Sequence, residues 1–290
     1  MLPKDQVALA MREAVSRPQL ERKPIPIINA SLNEADARQV HDAVTRAYAG
    51  VFHFNALAIS RLVPQGGLVL DLASGSAEFL AYLATCRPDL QIIGVEENKD
   101  YLGLGQTYLS EQGLTERVLL NEGSPTFFAE RIPSRIDMIT SVFGLHTLQN
   151  SGDLVKCLHE SLLVRIRCGC AFWVFDFARP NLLKTAEDFP ATLTPVSPIQ
   201  FKRQVRNSLM ASYTYDEVEE AFGKVSFGTV RHALSTNLKL FQAHWIERED
   251  NVVAGNESLW IEPRLPAPAV SQFKDISSIF PKVPLPKHLK

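Results

Sequence analysis

At 290 residues, 46% of them hydrophobic and 21% charged, the chain can bury a sizeable core and has the make-up of a soluble globular protein. Its net charge of −2 and pI near 6.4 supply no global basic field, which argues against nucleic acid or an anionic membrane as partner. No apolar run reaches the roughly 20 residues of a membrane helix, and the N-terminal MLPKDQVALAMREAVSRP carries acids and an arginine where a secretory signal is apolar, so a cytoplasmic location is expected.

Residues 1–30 are interrupted by prolines and weakly patterned, as in a loosely attached arm. From Asn33 to Leu62 apolar residues recur at helical spacing through Val40, Val44, Tyr48, Phe52 and Leu57. Residues 1–62 therefore read as an arm and helical cap, stopped by Pro64-Gln65-Gly66-Gly67. Strands are expected at Leu68–Leu72, Gln91–Val95, Arg117–Leu120, Ile136–Val142 and Cys170–Phe175. Helices are expected between them at Glu78–Thr85, Tyr101–Glu111 and Asp153–Arg165. Strand and helix in alternation predict an α/β fold, a doubly wound, mostly parallel sheet covered on both faces.

After Pro180 the pattern breaks, and Asn181–Arg206 is rich in proline, threonine and polar residues. A helix at Thr214–Phe222 follows, then two strands, Ser226–His232 and Leu238–Trp245, joined antiparallel by a Ser-Thr-Asn turn. From Asn251 the chain has many prolines and no period, which predicts a tail or strap. The boundaries expected are 1–62, a main domain over 63–250 with a lid insertion at about 181–213, and a tail over 251–290. The cysteines are Cys86, Cys157, Cys168 and Cys170; their spacing fits neither a zinc knuckle nor a redox pair, so buried free thiols and no metal are expected.

The stretch VLDLASGSAEF, Val69–Phe79, is a strand running into a turn and a helix, the place where doubly wound sheets bind ligands. The dinucleotide pattern G-x-G-x-x-G is absent; Ala73 and Ala77 stand beside Gly75, and alanine does not easily take a positive φ. Glu96 and Glu97 follow roughly 25 residues after Asp71, near the spacing of an acid on a ribose diol. They could equally open the next helix and favour its dipole.

The series VLDLASGSAEF, IIGVEEN, LLNEGSP, IDMITSVFGLHTL and GCAFWVFDFARP resembles the class I S-adenosylmethionine (SAM)-dependent methyltransferases, in particular the ubiquinone/menaquinone-biosynthesis type and related small-molecule enzymes. The likeness runs from about Tyr48 to about Trp245 and implies a Rossmann-like, seven-stranded sheet with its last strand antiparallel. It implies that Asp71, Ala73, Ser74 and Gly75 face the methionine part of the cofactor and that Glu96, beside Glu97, takes the ribose hydroxyls. Gly123 and Ser124 would flank the adenine, and Val142 and Phe143 the transferred methyl group. Tyr48 would hydrogen-bond the cofactor, with Phe52 and Phe54 shielding it and Phe52 reaching the substrate. Ser124 stands where the family often has Asp, and with the two alanines this predicts weaker cofactor binding.

Methyl transfer from a sulfonium is an in-line displacement, so a base is needed only where the nucleophile carries a proton. His146 is one candidate for that base, or for orienting a substrate oxygen, since imidazole changes charge near neutral pH. Asp176 and Arg179 end the fifth strand either as functional groups or as an ion pair bracing the loop. In the lid, Tyr213 is a catalytic candidate and Arg206 a substrate contact. The expected function is methyl transfer from SAM to a small, fairly apolar molecule. The alternatives are a methyltransferase-fold subunit that binds cofactor without methylating, and a protein or RNA methyltransferase. A homodimer stays open.

Overall fold

The computed structural model describes residues 4–25, 34–193, 197–236, 238–248, 259–283 and 285. Helices α1 (Lys4–Val15), α2 (Glu34–Ala47) and α3 (Ala49–Leu62) precede the sheet. Then come β1 (Leu68–Leu72), α4 (Glu78–Cys86), β2 (Gln91–Glu96), α5 (Lys99–Glu111), β3 (Val118–Glu122) and β4 (Met138–Val142). A short 3-10 turn at Leu145–Thr147 leads to α6 (Ser151–Cys168) and β5 (Ala171–Phe177). The chain continues through α7 (Leu183–Leu193), α8 (Ile199–Ala211), α9 (Tyr215–Val225), β6 (Arg231–Leu234), β7 (Phe241–Ile246) and α10 (Ala267–Ile279).

The seven strands are ordered β3-β2-β1-β4-β5-β7-β6, with β7 antiparallel to both β5 and β6. This is the doubly wound sheet expected, and the order reverses between β1 and β4, where such sheets open a crevice at their carboxyl ends. Strands β4 (MITSV) and β5 (AFWVFDF) are buried along their whole length because both faces are covered. One core layer joins α3, α4, α8 and α10 to the sheet; the other lies under α6 and α9. Trp173 Nε1 donates to Asn55 Oδ1 (2.8 Å), so this buried amide of α3 is satisfied by β5.

Three stretches depart from the sequence reading. Residues 4–25 are not loosely attached. The Glu13 carboxylate accepts from Asn181 N–H (2.7 Å), Leu182 N–H (3.2 Å) and the Thr185 hydroxyl, and Gln19 and Leu20 N–H donate to Asn181 O (2.9 and 3.0 Å). Within the segment read as irregular lie α7 and α8; the apolar Phe201, Val205 and Leu209 of α8 recur every four residues and are buried. The C-terminal stretch contains α10, whose prolines occupy its N-cap and first turn, where a missing N–H costs nothing. Helix α10 lies on α3: Gln272 Oε1 accepts from Gly50 N–H (2.9 Å) and Val51 N–H (3.3 Å). A Cβ at Gly50 would stand 2.4 Å from Ala269 O, so only glycine allows this approach. Asn237 of the expected turn and residues 251–258 of the expected tail fall outside the described residues.

Candidate cofactor and acceptor site

A cavity of about 860 Å³ opens at the carboxyl ends of β1, β2, β4 and β5, roofed by α2, α3 and α8. Its first wall is the loop after β1. Ala73 (φ 57°), Gly75 (φ 57°) and Ala77 (φ 65°) all take the left-handed conformation. The expectation that the two alanines avoid positive φ is therefore overturned. Each bears a steric cost of about 1 kcal/mol, which the surrounding packing must impose. Glycines on neighbouring strands and loops make room for the loop. A Cβ on Gly94 would stand 2.8 Å from Ser74 Oγ, and one on Gly144 2.7 Å from Leu72 O and 3.1 Å from Ala73 Cβ. The space lost by having alanine in the loop is returned by having glycine beside it.

Glu96 ends β2, 8% exposed, and ties that loop down: Oε2 accepts from Gly75 N–H (2.8 Å) and Oε1 from Asn98 N–H (2.8 Å). Burial pushes its pKa up, and these two hydrogen bonds act against the rise. A carboxylate has about four acceptor sites, so Glu96 keeps acceptor capacity for a ligand. Glu97 is exposed and lines the cavity, while Asn98 caps α5 by accepting from Asp100 and Tyr101 N–H (2.9 and 3.3 Å).

Ala73, Ser74, Gly75, Glu96, Glu97 and Ser124 come together on this wall, joined by Tyr101, which the sequence reading missed. Burial raises the Tyr101 phenol above its ordinary value. The only signal for it was an aromatic in the first turn after Asn98. Ser124 Oγ is engaged with Thr126 Oγ1 (2.9 Å) in its own turn. Gly123 and Asp71 do not line the cavity. Asp71 lies beneath the loop, 3% exposed, and burial followed by the nearby Glu96 charge drives its pKa well up. Asp71 Oδ1, Ser74 Oγ and Thr140 Oγ1 are buried without a hydrogen-bond partner among the described residues.

The second wall is apolar. Tyr48, Phe52, Val142 and Phe143 line it, together with Phe177 and Phe201. The Phe143 ring lies 5.0 Å from that of Tyr48 and 4.8 Å from that of Phe177, and Phe143 too has a positive φ, 61°. Burial raises the Tyr48 phenol far above its ordinary value. Phe54, expected here, points the other way: it is fully buried against Trp173, Phe175 and Phe280.

Between the walls sits His146. Its Nδ1–H donates to Asp176 Oδ1 (2.8 Å) and its backbone N–H to Asp176 Oδ2 (2.9 Å). Phe177 N–H donates to Oδ1 as well (2.7 Å), so the Asp176 carboxylate is held rigidly and holds the ring in turn. With the proton on Nδ1, Nε2 keeps its lone pair, and it has no hydrogen-bond partner among the described residues. Asp176 thus serves His146, and the ion pair with Arg179 considered from sequence is absent: Arg179 pairs with Glu217 (2.8 Å). The loop after His146 is fastened by Arg22, whose guanidinium donates to Gln149 O (2.8 Å) and Leu148 O and lies 3.9 Å over the Tyr213 ring.

Two expected residues are not on the wall. Tyr213 is buried; its hydroxyl donates to Asn150 O (2.8 Å), and burial pushes its pKa up, so it braces the loop and has no access to the cavity. Arg206 lies on α8 outside the lining, which instead takes Arg203, one turn earlier. Among the described residues no group of three or more His, Cys, Asp or Glu comes together to hold a metal, the four cysteines are free, and no helix is long and apolar enough to cross a membrane.

No family model matches the chain. Solved structures do match its fold. A SAM dependent methyltransferase from Aquifex aeolicus superposes over 74% of this chain and 98% of its own, with a TM-score of 0.51 at 14% identity. The plantazolicin methyltransferase BamL, in complex with a triazolic desmethylPZN analog and SAH, covers 84% of this chain and 95% of its own, at TM-score 0.55 and 9% identity. Plantazolicin methyltransferase BpumL in complex with SAH gives the same coverages, at 0.53 and 11%. The chain has the fold of the SAM-dependent methyltransferases.

Proposed function

We propose that the protein transfers a methyl group from SAM to a small acceptor whose nucleophilic oxygen or nitrogen carries a proton. The observation that carries this reading is His146, held by Asp176 and facing the same cavity as Glu96. When bound, the cofactor supplies an electrophilic methyl carbon on a sulfonium. Glu96 lines the cavity as an acceptor suited to a diol, and Tyr101 covers the neighbouring surface. The aromatic wall of Tyr48, Phe143 and Phe177 suits a sulfonium and keeps water out.

His146 Nε2 accepts the acceptor's proton, and the Asp176 carboxylate stabilises the imidazolium that forms. Isothermal titration with SAM and SAH tests the reading. Sub-millimolar binding of both is expected, and no heat with either at millimolar concentration would sink it.

A further inference from the structure

Helix α8 presents a polar face to the cavity. Gln200, Arg203, Gln204, Asn207 and Ser208 line the cavity at spacings of three and four residues, so they form one face of the helix. No side-chain hydrogen bond to the rest of the protein engages Arg203, Gln204 or Asn207 among the described residues. Beside this face, Phe201, Val205 and Leu209 are buried, and Phe201 and Val205 add apolar surface to the cavity.

The charges that line the cavity are divided by position. Glu78, Glu96, Glu97 and Asp100 stand at the ends of β1 and β2. Lys99 is neutralised by Glu122 (3.1 Å), and Asp153 is engaged by Asn150 Nδ2 (2.7 Å) and Lys156 (3.5 Å). That leaves Arg203 as the cation of the lining that has no carboxylate partner among the described residues. Apart from Asp153, the carboxylates of the lining therefore stand at the ends of β1 and β2, and its cation without a carboxylate partner stands on α8.

We infer that the acceptor is an apolar, ring-bearing molecule with a carboxylate, and that Arg203 binds this carboxylate, flanked by the amides of Gln204 and Asn207. The inference rests on the methyltransferase reading and adds the charge of the substrate to it. An acceptor laid along the aromatic wall with its acid on α8 presents its other end toward His146. The guanidinium offers the planar pair of donors that a carboxylate matches. Because Arg203 is open to water on one side, its preference is modest and falls with salt.

The test uses the full chain saturated with SAH and two probes of one shape, trans-cinnamate and its neutral amide, titrated by calorimetry at low salt. Cinnamate is expected to bind about fivefold more tightly than the amide, the upper end for an ion pair open to water. In Arg203→Met the ratio falls to about one while SAH affinity holds, and in Arg203→Lys part of the preference returns. A ratio near one in the natural protein, a ratio that survives Arg203→Met, or no binding of either probe up to its solubility limit overturns the inference. Failure of SAH to bind at all is a different result, and brings down the methyltransferase reading itself.

Discussion

The two sides of the cavity are built by different means. On the sheet side, the loop of Ala73–Ala77, Glu96 and His146 are fixed by strand ladders and by hydrogen bonds to backbone N–H groups. On the helical side, α2, α3 and α8 present side chains, and no side-chain hydrogen bond among the described residues engages Arg203, Gln204 or Asn207. A group held by backbone stays in place whatever binds, which suits the steps common to every turnover. A wall of unengaged side chains can be exchanged without disturbing the fold, which suits the choice of acceptor. On the function proposed, reaction and selection are divided between strand ends and helices.

Four substitutions or conditions break or sharpen that contrast. The largest effect is expected for His146→Gln. Loss of the base should lower kcat about 100-fold or more, with SAH affinity unchanged, and turnover at the natural rate would remove His146 from the mechanism. Next, Glu96→Ala should weaken SAH binding by about 1.5–3 kcal/mol, as for a lost hydrogen bond to a charged group. Equal affinities in titration would place the diol elsewhere.

The third tests the far edge of the sheet, where His244 is buried beside His232 (Nδ1 to Nδ1, 2.7 Å). Burial first, then His232, holds the His244 imidazole well below its ordinary value. The unfolded chain therefore takes up a proton below about pH 6.5 that the folded protein refuses. The stability from this group is present above pH 6.5 and is lost below it, by up to about 1.4 kcal/mol per pH unit. Urea midpoints compared at neutral and mildly acid pH should show a shallower loss for His244→Gln; identical slopes would acquit the residue. The smallest effect belongs to Ala73→Gly and Ala77→Gly. Each relieves a positive φ and should raise stability by up to about 1 kcal/mol, less the entropy glycine adds to the unfolded chain. A drop in melting temperature for both would show that the alanines are not strained.

Much of the sheet side was legible in the sequence because buried parallel strands read as apolar runs and the loop follows its strand directly. What escaped there was conformation: the loop lies against Gly94 and Gly144, and no local signal records the positive φ of Ala73 and Ala77. The helical side was harder. Phe52 and Phe54 sit two residues apart on one buried helix, and hydrophobicity does not say which of them meets a cavity and which meets Trp173 and Phe280. Prolines concealed both α8 and α10, so Arg206 was chosen for a face that belongs to Arg203. Arg22 could not be foreseen, since its partners are carbonyls more than a hundred positions away.

The seat of α10 on α3 also dictates a sequence of events during synthesis. Gly50 and Phe54 are translated early, whereas Gln272 and Phe280, which cover them, leave the ribosome after every other helix and strand. Until then α3 has one side bare, and the helix that carries Phe52 to the cavity has no backing. The growing chain passes through that unfinished state, with apolar surface exposed, until α10 docks.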